Sequence, residues 1–248
     1  MIEVRKLKKS FGPNLVLDGV SFGIEKGESL VIIGRSGGGK SVLLKHLIGL
    51  LKPDAGQVLI DGENITVMNE RELLRVRHRF GMVFQGAALF DSMNVAENVG
   101  FAFRRDRRLT EKEIARKVTE SLEMVELPGI EQKNPSELSG GMRKRVGLAR
   151  AIVYEPEIVL YDEPTTGLDP IVSDSIDQLM LRVRDRLDVT TVVVTHDMRT
   201  ARRLGQRILM LHDKSIYATG TPEEIFGSQD TVVKQFIDGV ADEKNLQS

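Results

Sequence analysis

Eight residues, Gly34-Arg35-Ser36-Gly37-Gly38-Gly39-Lys40-Ser41, limit what this 248-residue chain can fold into more than any other stretch. They fit the pattern G-x-x-x-x-G-K-[ST]. An unbroken run from Ser29 to Ile33 reads as a buried strand leading into them. Ser41 to Leu51 follows as a helix, with Leu43, Leu44, Leu47 and Ile48 at helical spacing and Pro53 just beyond. In a strand, glycine-rich loop and helix of this kind, backbone N–H groups wrap phosphate oxygens at the dipole-positive helix start. Lys40 then reaches the β- and γ-phosphates, and the Ser41 hydroxyl suits Mg²⁺.

The rest of the chain alternates in the same way. Gly81–Phe84, Ile158–Tyr161, Thr191–Val194 and Ile208–Leu211 read as buried strands, and Ile176, Leu179, Met180, Val183 and Leu187 share one helical face. Gln57–Ile60 before Asp61-Gly62 predicts a strand ending in a tight turn. Alternation of this kind predicts an α/β fold, a doubly wound and mostly parallel sheet covered on both sides. The strand-rich first sixty residues read as its antiparallel edge. Residues 86–153 hold no strand run, and Thr110-Glu111-Lys112-Glu113 has capping-box spacing ahead of Ile114, Val118, Leu122 and Val125. A helical subdomain inserted into the core is expected there.

Bulk properties exclude several classes. A net charge of −1 gives no nucleic-acid footprint, and the absence of cysteine rules out disulfides and thiolate metal sites. The start of the chain lacks the basic-then-apolar layout of a signal peptide, and runs such as Leu30–Ile33 are far too short to cross a bilayer. Any membrane channel must come from another chain. Arg104-Arg105-Asp106-Arg107-Arg108 is the one concentrated basic run; it reads as a solvated face, with anionic lipid head groups or an acidic partner loop as the alternative.

Two more motifs follow the loop in order: Leu138-Ser139-Gly140-Gly141-Met142, at the start of a helical pattern, and Leu160-Tyr161-Asp162-Glu163, at the end of a strand. Adjacent carboxylates there stand at the sheet edge where doubly wound folds bind ligands. Together the three motifs resemble the ATPase subunits of ABC transporters, over roughly Ile2 to Ile237. The resemblance implies a P-loop (RecA-like) fold, with ABC ATPase domain 1–238, core segments 1–85 and 154–220, a helical signature subdomain 86–153 and a C-terminal helical tail 221–248.

It also implies roles. Glu163 is the general base, and Asp162, Ser41 and Gln85 attend Mg²⁺. Gln85 matches the Q-loop glutamine and His196 the switch histidine on the γ-phosphate. Asp169 matches the D-loop aspartate, while Ser139, Gly140 and Gly141 contact ATP held by a second copy in a head-to-tail dimer. The usual fifth signature residue is Gln, here Met142. ATP is cradled by Gly34, Arg35, Ser36, Gly37, Gly38, Gly39, Lys40, Ser41 and Val42, with Phe11 stacking on adenine and Val16 beside it. His46, His78 and His212 read as structural or exposed.

Three rivals share parts of this pattern. DNA-repair and chromosome ATPases need a long coiled coil between loop and signature, and no sustained heptads lie there. Translation factors usually carry two cassettes. A generic kinase or GTPase does not explain Leu138–Gly141. The segments Gln85–Phe90 and Asn94–Val99, together with Gly34–Val42, Leu138–Arg145 and Phe236–Gly239, resemble those of Mla-type, MCE-linked lipid transporter ATPases. That resemblance implies energised phospholipid movement between inner and outer membranes. The implied setting is the cytoplasmic face of the inner membrane, with permease subunits and an MCE-domain lipid-binding protein as partners and no nucleic acid. A polar amino-acid or other small-solute importer is the alternative.

Overall fold

A computed structural model describes residues 1–105 and 109–240, with the side chains of 104 and 105 left aside. The chain divides into two compact units, residues 1–73 with 192–248, and residues 74–191.

The first unit opens with β1 (Ile2–Phe11) and β2 (Asn14–Ile24), which pair antiparallel. Along β1, Ile2 and Val4 point inward while Glu3 and Arg5 stay exposed, the alternation of a half-buried strand. The inward face then jumps to Leu7. Lys6, with φ 47°, sits at this register shift, and the bulge re-aims the strand. Next come β3 (Ser29–Ile33), buried along its whole length, and α1 (Lys40–Leu47). The helix stops four residues short of the expected Leu51. Gly49 takes φ 64°, and the bonds Leu50 N–H to Lys45 C=O and Gly49 N–H to His46 C=O close a Schellman motif. β4 (Ala55–Ile60) ends in the expected tight turn and pairs with β5 (Glu63–Asn64) as a hairpin, with Asp61 and Gly62 both at positive φ as a type I′ turn requires. The order β2-β1-β4-β5 makes these strands a separate antiparallel sheet rather than an extension of the sheet that holds β3.

α2 (Glu70–Arg77) carries the chain into the second unit. There β6 (Phe80–Val83) runs parallel to the strand Ile158–Asp162, numbered β7, with Phe80 opposite Ile158 and Val83 opposite Tyr161. Between them in sequence lie α3 (Val95–Val99), a 3₁₀ turn, α4 (Glu111–Met124) and α5 (Gly140–Ile152). Among the described residues this segment holds no strand. Thr110 caps α4 through the predicted box with Glu113, and Val118, Leu122 and Val125 are buried. α6 (Pro170–Leu187) buries Ile176, Leu179, Met180 and Val183, and Leu187 is only partly covered.

β8 (Thr190–Thr195) returns the chain to the first unit. α7 (Met198–Leu204), β9 (Arg207–His212) and β10 (Ser215–Gly220) follow. β3 pairs parallel with β9, whose interior is buried as a two-sided strand demands, and β10 closes that edge antiparallel. Two short helices, α8 (Pro222–Phe226) and α9 (Thr231–Asp238), end the described chain. The basic run from Arg104 and the polar end beyond Val240 lie in whole or in large part outside the described residues.

Candidate functional site

In the first unit the loop Gly34–Gly39 joins the end of β3 to α1. Gly37 and Gly39 take φ of 74° and 94°, which a side chain would strain. Gly38 N–H donates to the Arg35 carbonyl at 3.0 Å, pinching the loop. Gly39 is the N-cap of α1 and has no side chain to occupy the helix's first donors. Lys40 is buried, and its ammonium folds back onto the carbonyls of Gly34 (2.8 Å) and Arg35 (3.2 Å). The cation thus lies over the loop's own carbonyls. Ser41 is half-buried one residue into the helix.

Val16 is brought against this loop: a Cβ on Gly39 would sit 3.0 Å from its Cγ1. Phe11 lies in the same β1–β2 hairpin, paired with Asn14, and its ring is 47% exposed with the Lys9 ammonium 5.5 Å from the centroid. An exposed aromatic face is free to stack on a flat ligand. His196 follows Thr195 at the end of β8 and is exposed.

The second unit holds the carboxylates and the signature. Asp162 is the last residue of β7 and Glu163 the first beyond it, 7% and 8% exposed. Glu163 has φ 49°, a left-handed conformation costly for a non-glycine residue, and Thr166 Oγ1 donates to its Oε2 at 3.2 Å. Gln85 lies in an exposed turn two residues beyond β6. Ser139 caps α5, its Oγ accepting from Met142 N–H at 3.3 Å. Asp169 caps α6, accepting from Ile171 and Val172 N–H at 3.0 Å each. These two helix starts adjoin, since a Cβ on Gly141 would come within 2.8 Å of Val172 Cγ1.

Two cations of α5 were not singled out from the sequence. Lys144 is 8% exposed; its ammonium donates to the Gln85 carbonyl and, at 3.4 Å, to that of Glu163. Burial lowers its pKa, opposed by the Glu163 charge. Arg150 donates to the Ala87 carbonyl at 2.7 Å and the Ala88 carbonyl at 2.6 Å, and burial lowers its pKa as well. The available signal was a lysine in line with Leu148 and Ile152 at i, i+4 and i+8, on the buried face of the helix.

The histidines read as structural fall in packing positions. His46 is buried with Nδ1 2.7 Å from the Val42 carbonyl, His78 stands edge-on to Tyr154 at 5.8 Å, and His212 to Tyr217 at 5.4 Å.

The sequence profile of the ABC transporter family matches residues 17–166, a span that contains the loop, the signature and the Asp162-Glu163 pair. A probable ribonucleotide transport ATP-binding protein, mkl, of Mycobacterium leprae is 44% identical over 96% of this chain and 69% of its own length. The intermembrane phospholipid transport system ATP-binding protein MlaF of Haemophilus influenzae is 40% identical over 98% of this chain and 92% of its own. Among solved structures, the ATP-binding cassette MJ0796, in a dimeric post-hydrolysis state bound to ADP and Pi, superposes with a TM-score of 0.82 at 33% identity. That match covers 90% of this chain and 99% of the other. The chain belongs to the ABC transporter family, as a P-loop α/β cassette that binds and hydrolyses ATP.

Proposed function

We propose that this cassette energises phospholipid transport between the inner and outer membranes. The observation that carries this reading is the nearly end-to-end likeness to MlaF, 98% of one chain against 92% of the other. The mkl likeness is higher in identity but leaves about three tenths of that relative unmatched, and its name points to ribonucleotides. The cassette works as a head-to-tail pair on the cytoplasmic face of the inner membrane, bound to permease subunits and an MCE-domain lipid-binding protein. Among the described residues no helix is long and apolar enough to cross a membrane.

In the site, Gly34–Val42 cradle the phosphates, Phe11 stacks on adenine and Val16 packs beside it. Lys40 neutralises the β- and γ-oxygens. Glu163 accepts the proton of the attacking water, Gln85 and His196 orient water and γ-phosphate, and Ser139, Gly140 and Gly141 donate to the ATP of the second copy. Asp169 carries the state of one site to the other. Mg²⁺ fits the donor set, because the Ser41 hydroxyl, Gln85 amide and Asp162 carboxylate are all hard oxygens. When bound it neutralises charge on the β- and γ-phosphates.

The test is purification of the tagged chain from detergent-solubilised native membranes, with proteins and lipids identified by mass spectrometry. Recovery of a permease, an MCE-domain protein and phospholipid is the expected result. A permease with a solute-binding protein and no enriched lipid, or with bound ribonucleotide as cargo, overturns the lipid reading and leaves the ATPase intact.

A further inference from the structure

Gln85 to Ala88 is a tight turn in which two consecutive non-glycine residues, Ala87 and Ala88, take left-handed backbone, φ 59° and 49°. Three of its four carbonyls are taken by cations of a single helix. Lys144 takes Gln85, while the two terminal nitrogens of Arg150 take Ala87 and Ala88. Between them Gly147 lets the turn lie close, since a Cβ there would sit 3.3 Å from the Ala87 Cα. Of the two cations only Lys144 also reaches the Glu163 carbonyl, and Glu163 is itself left-handed, φ 49°.

From this juxtaposition we infer that Lys144 is a positioning residue for hydrolysis, its ammonium tying the Gln85 turn, Glu163 and the signature helix α5 together. The inference rests on the roles proposed above for Gln85 and Glu163. Two carbonyls turned toward one point repel, and a buried ammonium between them removes that repulsion while fixing both backbones. The carboxylate of Glu163 and the amide of Gln85 are thereby aimed by main-chain atoms that α5 holds. Any shift of Ser139 at the head of this helix is passed to both. A neutral donor at position 144 bonds more weakly, and an apolar side chain leaves the two carbonyls without their shared cation.

The experiment compares the full-length chain with Lys144→Met, Lys144→Gln and Glu163→Gln. It measures kcat and KM for Mg-ATP, affinity for a fluorescent ATP analogue, and hydrogen exchange across residues 84–90. We expect Lys144→Met to lower kcat by ~10²-fold and Lys144→Gln by ~10-fold, the scale of a small misplacement of reacting groups. Nucleotide affinity should stay within about 3-fold in both, and exchange should rise in the Gln85–Ala88 turn. A wild-type kcat in Lys144→Met, a Gln variant no better than the Met variant, or affinity falling in step with kcat overturns the inference. If Lys144→Met does not fold, Lys144→Gln decides alone. A ~10-fold loss of kcat at constant affinity supports the inference, and an unchanged kcat ends it. Wild-type turnover by Glu163→Gln instead sinks the role given to Glu163. A normal Lys144→Met beside an inactive Glu163→Gln sinks only the positioning role.

Discussion

The loop from Gly34 to Gly39 and the turn from Gln85 to Ala88 are both short, both follow a strand of a parallel pair, and both use left-handed backbone. They differ in the cations that hold them. The first is closed from within: Gly38 donates to Arg35, and Lys40, one residue past the loop, donates to Gly34 and Arg35. The second has one bond of its own, Ala87 N–H to the Phe84 carbonyl at 2.9 Å, and is held besides from a distance, by Lys144 and Arg150, 59 to 63 residues along the chain. A self-closed loop keeps its shape through its own spacing and suits a rigid phosphate cradle. A turn held by a remote helix takes its shape from that helix, which suits a part that must respond to it.

Changes at each kind of contact test this contrast. Lys40→Ala removes both the lysine's bonds to the loop and the charge proposed to meet phosphate. ATP affinity should fall by about 10- to 10²-fold, measured by nucleotide titration, the value of hydrogen bonds to a charged group. Unchanged affinity would mean that the loop does not depend on its own lysine. Packing around the remote helix comes next. Leu122→Ala on α4, fully buried, should cost about 2–5 kcal/mol in urea unfolding, and a cost below 1 would deny that this helical layer is tightly packed. Ser139→Ala removes the cap of α5 and should cost about 1 kcal/mol on the same assay.

The smallest effect concerns the helix behind the first loop. Burial lowers the pKa of His46 below its ordinary 6.5, so the unfolded chain takes up the proton first. Its contribution is present above 6.5 and is lost as pH falls from there toward the folded value. Wild type should lose up to roughly 1 kcal/mol between about pH 7.5 and 5.5 that His46→Gln does not lose. Equal pH slopes would place the histidine's proton outside the stability balance of α1.

The same contrast explains what could be read without a structure. β3, the glycine loop and α1 are a contiguous strand–loop–helix, so spacing alone placed them, and α1 ran too long only because the αL turn at Gly49 looks apolar-periodic in sequence. α4 and α5 announced themselves through Thr110 and Ser139, each a side-chain cap on a following amphipathic run. α3 has such a cap too, the box of Asn94 with Glu97, but only five residues follow it, too few for a periodic run, and Asn98 fixes them through bonds to Phe90, Met93 and Asn94 main-chain atoms. The strands of the first sixty residues were visible as strands, but which sheet they join depends on pairings between distant residues such as Ile2 with Ile60. Lys144 was hidden for the same reason: its partners are main-chain carbonyls, which no side-chain pattern reports.

The most direct test of the account is a single-turnover measurement on Glu163→Gln with bound ATP, alongside nucleotide affinity. Loss of a general base predicts hydrolysis slower by ~10²–10⁴-fold while ATP still binds as tightly as to wild type. Near-normal hydrolysis by that variant would contradict the assignment of the chemistry to Glu163 and the division of labour built on it.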